Sequence, residues 1–217
     1  MPRKLAAGNF SPWLAETRAA ISGKGSANVP CGTCTACCRT HNILIAADET
    51  ETLAHVASTL QIPASRMPHG DLLMMHEESG DCPMLVDERC SIYEHRPRMC
   101  RTYDCRVFPA SGLAAGEDKP VIDEQAQRWS FSYPTSADRI EYDAVLAAAS
   151  LLADNWQLLA EAEIPTNQIQ LALAAVEMYD LFMPPDSARA DGAAVADTTP
   201  PAVVVELSRR RSRRAVH

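Results

Sequence analysis

Eight cysteines in two groups place the tightest constraint on how this 217-residue chain can fold. The first group, Cys31, Cys34, Cys37 and Cys38, lies in the run CGTCTACC; the second is Cys82, Cys90, Cys100 and Cys105. Two-residue spacing lets one tight turn aim two sulfurs at a single ion, which is why paired cysteines recur in zinc and iron sites. A lone CxxC would say little, but CxxCxxCC followed by four further cysteines is a far more specific pattern. A disulfide framework is the competing reading. It fits poorly with the adjacent pair Cys37 and Cys38, and with an opening segment, MPRKLAAGNFSPWLAETRAA, that lacks the apolar run of a secretory signal.

The residues around Cys31 to Cys38 are small, and Gly32 opens backbone angles closed to other residues, so the segment reads as a tight loop. Sequence neighbours tend to point their side chains apart, so Cys37 and Cys38 need not serve one ion. Eight thiolates would satisfy two tetrahedral zinc ions at four each, with His41, His76, Asp81, Asp87 or a water able to replace a cysteine. An iron-sulfur cluster is the alternative. Cys31, Cys34 and Cys37 match the start of the C-x2-C-x2-C-x3-C-P run, but Cys38 follows at once and the first Cys-Pro is Cys82-Pro83. Three cysteines of the first group with one of the second would still hold such a cluster. Arg96, Arg98, Arg101 and Arg106 surround Cys100 and Cys105, where guanidinium groups would offset the negative charge of a thiolate-bound metal.

Three segments carry a family resemblance: CGTCTACCR at Cys31 to Arg39, CPML at Cys82 to Leu85, and CSIYEHRPRMCRTYDCRVF at Cys90 to Phe108. Together they resemble the YkgJ-type cysteine cluster family, whose members are described as zinc- or iron-chelating. The resemblance implies that Cys31, Cys34, Cys37, Cys38, Cys82, Cys90, Cys100 and Cys105 are the cluster residues, holding zinc or iron ions or an iron-sulfur cluster. It implies metal binding and no particular reaction, and it says little about Asp138 to His217.

Outside the cysteines the pattern is mainly helical. Phe10 to Ile21 reads as a short amphipathic helix with Ser11 as N-cap and Pro12 at the first helical position. Asp48 and Glu51 form a capping-box signature for a helix to about Leu60, while Ile43 to Ile45 fits either a strand or a buried helical turn. Asp138 to Ala162 predicts a long helix. A second follows to about Phe182, capped by Thr166 or Asn167, and the two are expected to pack as an antiparallel pair. Trp129, Phe131 and Tyr133 alternate as in a half-buried strand. The expected fold is thus mainly α: a loop-rich, metal-stabilised cysteine cluster over 28–109 packed with an antiparallel helical portion over 138–183. These form a single domain over 1–185, and 186–217 reads as a flexible linker and basic tail in which Val203 to Val205 could add an edge strand.

Charge and motif content narrow the function classes. The net charge of -8 divides unevenly, because Ser208 to His217 holds five arginines and no acid. An acidic body repels a phosphate backbone, so weak attraction of an anionic partner is expected only at the tail. No stretch approaches the roughly 20 apolar residues of a membrane span, so no membrane-spanning contact is expected and a cytoplasmic location is the default. His76-Glu77-Glu78 lacks the HExxH spacing of a zinc hydrolase, and neither GxSxG nor a P-loop occurs. Three classes remain: a metal-binding module, an iron-sulfur redox or metal-dependent enzyme, and a metal-stabilised nucleic-acid or protein interaction module. For the enzyme, His76, Glu77, His95, Tyr103 and Asp104 are the nearest acid-base candidates; His69 reads as structural.

Overall fold

The computed structural model describes residues 4–25, 29, 33–39, 43–64, 70–74, 81–185 and 196–215. The chain divides into two compact units, one made of 1–25 with 105–217 and the other of 26–104.

The first unit is helical. Helix α1 (Phe10–Ile21) has the expected bounds and buries Phe10, Trp13, Leu14, Thr17 and Ala20, a spacing of three and four that faces one side inward. It begins directly after Asn9, so Ser11 lies inside the first turn and is not the N-cap. The Ser11 amide instead donates to Asp138 Oδ1 at 2.9 Å. Strand β1 (Leu5–Asn9) pairs in parallel with β7 (Trp129–Ser132), which directly follows helix α5 (Pro120–Arg128), with a bulge between Ala6 and Gly8. This brings Phe131 within 5.2 Å of Phe10 and 4.7 Å of Trp13, ring centre to ring centre.

The long helix expected from Asp138 is two helices, α6 (Ser136–Asp154) and α7 (Trp156–Glu161). Asn155 breaks the run. Its Nδ2 donates to Leu151 O at 2.8 Å, occupying the carbonyl that its own amide would need in a continuing helix. Asn167 then caps α8 (Gln168–Met178) by accepting from the Gln170 amide at 3.1 Å. Helices α6 and α8 pack on each other, and the short helix α4 (Val107–Ser111) lies against both, with Val107, Phe108 and Ala110 fully inside. Gly112 ends α4 at φ 69°, and a Cβ there would meet Leu146 Cδ2 at 3.1 Å, so both backbone and space favour glycine.

The strand anticipated at Val203 to Val205 and the solvated arginines after it are instead one helix, α9 (Pro200–Ala215). Three β-branched residues in a row resemble a strand over so short a window. The helical stripe becomes visible only when the arginines are included: Val203, Val204 and Leu207 are buried, and Arg210 continues the same face. Arg210 donates to both carboxylate oxygens of Asp180 at 2.8 and 2.9 Å and to Glu177 O at 2.7 Å. The linker expected over 186–195 lies outside the described residues.

The second unit contains a small antiparallel sheet in the order β2-β4-β3, formed by β2 (Ile43–Ile45), β3 (Gln61–Pro63) and β4 (Leu72–Met74). Ile43 to Ile45 is therefore a strand. The helix expected over Asp48 to Leu60 shortens to α2 (Thr50–His55), since Val56 turns to extended angles before a 3-10 turn at Ser58–Leu60. A hairpin, β5 (Leu85–Val86) with β6 (Arg89–Cys90), and the short helix α3 (Arg98–Thr102) complete the unit. Ile43, Ile45, Val56, Met74, Cys82 and Ile92 form its small core.

Asp138 joins α1 to the start of α6. Beside the bond to Ser11, it forms a capping box with Thr135, whose amide donates to Asp138 Oδ2 at 2.9 Å. These donors, Thr135 first and then Ser11, hold the carboxyl below the usual carboxylate range. A folded-state value below the unfolded one stabilises the fold above the unfolded pKa of about 3.9, and that contribution is lost as pH falls through the folded value. Asp138→Asn should therefore lower the denaturation midpoint at pH 7, with the gap to wild type closing as pH drops below about 4. Midpoints measured across that range check it, and a gap independent of pH would contradict it.

Candidate metal centre

Cys37 and Cys38 lie in a 3-10 turn, Ala36–Arg39, with Cys34 just before it. This turn is tied to the second cysteine group through the backbone: the Cys82 amide donates to Cys38 O at 2.7 Å. From Cys82 the chain enters the β5-β6 hairpin, where Leu85 faces Cys90 and Val86 faces Arg89. The two residues between the strands, Asp87 and Glu88, have φ of 50° and 59°. Positive angles at both positions match a two-residue type I′ turn, whose twist suits a hairpin. Cys100 arrives on α3. The unit's structure thus gathers Cys38, Cys90 and Cys100 onto the same small core that contains Cys82.

Arg39 links these pieces. Its Nε donates to Thr35 Oγ1 at 3.2 Å, Nη1 to Asp81 Oδ2 at 2.8 Å, and Nη2 to Glu88 Oε1 and Oε2 at 2.6 and 2.7 Å. Each partner lies beside a cysteine segment: Thr35 between Cys34 and Cys37, Asp81 before Cys82, and Glu88 in the turn that leads to Cys90.

A second carboxylate clamp holds the Cys100 helix. Glu49 is buried, and one of its oxygens accepts from the Ala46 amide at 2.9 Å. The other accepts the Arg98 amide, the first N–H of α3, and lies 3.5 Å from Arg101 Nη2. Asp48, expected to cap α2, instead pairs with Arg98 Nη2 at 2.7 Å. A carboxylate at a helix N-terminus satisfies open amides and complements the helix dipole.

Burial is the main cause that pushes the Cys100 thiol up to about 12, followed by the neighbouring Cys82, Cys38 and Cys90. Arg96 opposes this rise. Its guanidinium lies 3.7 Å from the centre of the Tyr93 ring, and its buried Nε has no hydrogen-bond partner among the described residues. Of the four arginines expected to support the cysteines, Arg96 acts on Cys100, while Arg98 and Arg101 serve the α3 clamp. Arg106 belongs to the helical unit, where it donates to Ala7 O at 3.0 Å.

Cys105 also belongs to the helical unit. It is buried, and its Sγ accepts the Trp129 indole N–H at 3.2 Å. His95 stacks on His55 with ring centres 3.7 Å apart. Cys31, His41, His69, His76 and Glu77 lie outside the described residues. Among the described residues, no three His, Cys, Asp or Glu side chains form a group that could hold a metal ion. Sequence reasoning missed Glu49, for which an acid just before a short helix gives no distinct signal, and took Arg39 only as the end of the CGTCTACCR run.

Residues 30–128 match the family model described as "CxxCxxCC: Putative zinc- or iron-chelating domain". This agrees with the YkgJ-type resemblance carried by the cysteine segments. A search of the curated proteins and a search of the solved structures gave no match.

The Glu49 clamp has a local consequence. Glu49→Ala should remove about 1 kcal/mol of capping stabilisation and speed amide exchange at Arg98 to Cys100 relative to the hairpin. Hydrogen-exchange mass spectrometry resolves this difference, and unchanged protection of α3 would contradict it.

Proposed function

We propose that the unit spanning 26–104 is a zinc- or iron-binding module in which cysteine thiolates hold the metal. The observation that carries the reading is the gathering of Cys38, Cys82, Cys90 and Cys100 on one small core. Thiolates are the donors that suit zinc and iron centres. Arg96 supports the fit, because a buried guanidinium N–H with no partner among the described residues suits a site whose sulfurs carry negative charge. Cys31, Cys34 and Cys37 extend the proposed donor set from the same cysteine-rich segment.

The bound metal would supply a cross-link. Below a certain size an apolar core cannot stabilise a fold alone, and metal binding can contribute the missing free energy directly. Among the described residues the unit's buried cluster has six members, two of them sulfur-bearing: Met74 and Cys82. A site closed by thiolates leaves no open coordination position, so the reading is of a metal-holding module and assigns no reaction.

Cys105 takes a different part in this proposal. Its burial in the helical unit and its bond from Trp129 support a structural acceptor in place of the ligand role that the family resemblance implied. Elemental analysis of protein purified without oxygen, with its visible spectrum, tests both points. Cys82→Ser and Cys100→Ser should each lower bound metal per chain, while Cys105→Ser should leave it unchanged. Undiminished metal in the first two variants would contradict the site, and a loss in the third would return Cys105 to the ligand set. Zinc in a colourless sample identifies simple ions; iron with acid-labile sulfide identifies a cluster.

A further inference from the structure

We propose that Arg39 is a positioning residue of this centre: one guanidinium sets the spacing of the segments that deliver the cysteines. The inference rests on the metal-binding reading above and adds to it a residue that neither ligates nor lies in the core. Its basis is geometric. The three nitrogens of Arg39 make four hydrogen bonds in three directions, to Thr35, Asp81 and both oxygens of Glu88. Those partners lie respectively inside the CxxCxxCC segment, next to Cys82, and at the tip of the hairpin that ends on Cys90. A planar guanidinium offers fixed donors in a fork, so its three bond directions fix the partners relative to one another. A lysine in the same place would supply charge without that geometry.

Stability alone does not explain the arrangement. The Arg39 and Glu88 side chains are 31% and 73% exposed, and ion pairs in contact with water contribute little to folding. Their effect is on shape. Asp87 and Glu88 adopt left-handed angles without glycine, a conformation that an ordinary residue holds only when its surroundings select it. The bidentate bond from Arg39 is such a selection, and it orients the hairpin that spaces Cys82 from Cys90. Groups that hydrogen-bond metal ligands directly commonly change affinity by about 10- to 100-fold, and Arg39, which acts on the segments that carry the ligands, is expected at the lower end of that range.

The test is a cobalt(II) titration of the full chain, reduced and stripped of metal, with zinc(II) competition for affinity. The thiolate-to-cobalt absorption reports how many sulfurs bind. Arg39→Gln and Arg39→Lys should both weaken binding by about tenfold or more and reduce that absorption. Glu88→Gln, at a mostly exposed position where the fold should persist, should shift affinity the same way by less. The Arg39→Gln/Glu88→Gln double variant should match Arg39→Gln alone, because the two residues act through one contact. Wild-type affinity in Arg39→Gln, or full rescue by Arg39→Lys, would overturn the positioning role while leaving the metal site in place. Wild-type protein that binds neither cobalt nor zinc would overturn the metal reading and this inference together.

Discussion

In the cysteine unit, the segments that carry the cysteines are joined by charged groups that reach across sequence, around a small apolar core. Those segments are short turns, a two-by-two-residue hairpin and a five-residue helix. None of these holds its shape in isolation. Arg39 joins three of the segments through one guanidinium, and Glu49 fastens the fourth by accepting the first amide of α3. Glu49 satisfies backbone amides that a turn and a helix start leave open, whereas Arg39 bonds side chains alone. Cys38, Cys90 and Cys100 consequently pack against the core that contains Cys82, and burial there raises the Cys100 thiol.

The helical unit solves the same problem differently. Its side chains form an extensive buried set, including Phe10, Leu14, Phe108, Val145, Leu152, Val176 and Leu207, and several of its polar groups act at helix ends. Asp138 and Asn167 cap helices, and Arg210 anchors α9 through Asp180 and the Glu177 carbonyl. Cys105 fits that pattern: it fills core space and accepts one hydrogen bond. The other seven cysteines all fall within 26–104, the unit with the small buried cluster.

The legibility of the sequence follows the same division. Helices α1 and α8 could be read because long apolar periodicity and a capping Asn167 are local signals. The break at Asn155 was hidden, since it depends on one side chain competing for Leu151 O within an otherwise helical run. Helix α9 was hidden because its stripe passes from valines into an arginine whose partner, Asp180, lies far away in sequence. In the cysteine unit the candidate donors were legible from spacing alone. The hairpin between Cys82 and Cys90 was not, because Asp87-Glu88 lacks the glycine or asparagine that usually marks such a turn, and its stabiliser, Arg39, comes from another segment.

X-ray absorption at the metal edge of protein isolated with its native metal addresses the central claim most directly, because it reads the donor atoms themselves. Metal held as proposed would show mostly sulfur donors, at about 2.3 Å if the ion is zinc. Oxygen or nitrogen donors with no sulfur would contradict the claim, since metal would then be held outside the cysteines of 26–104.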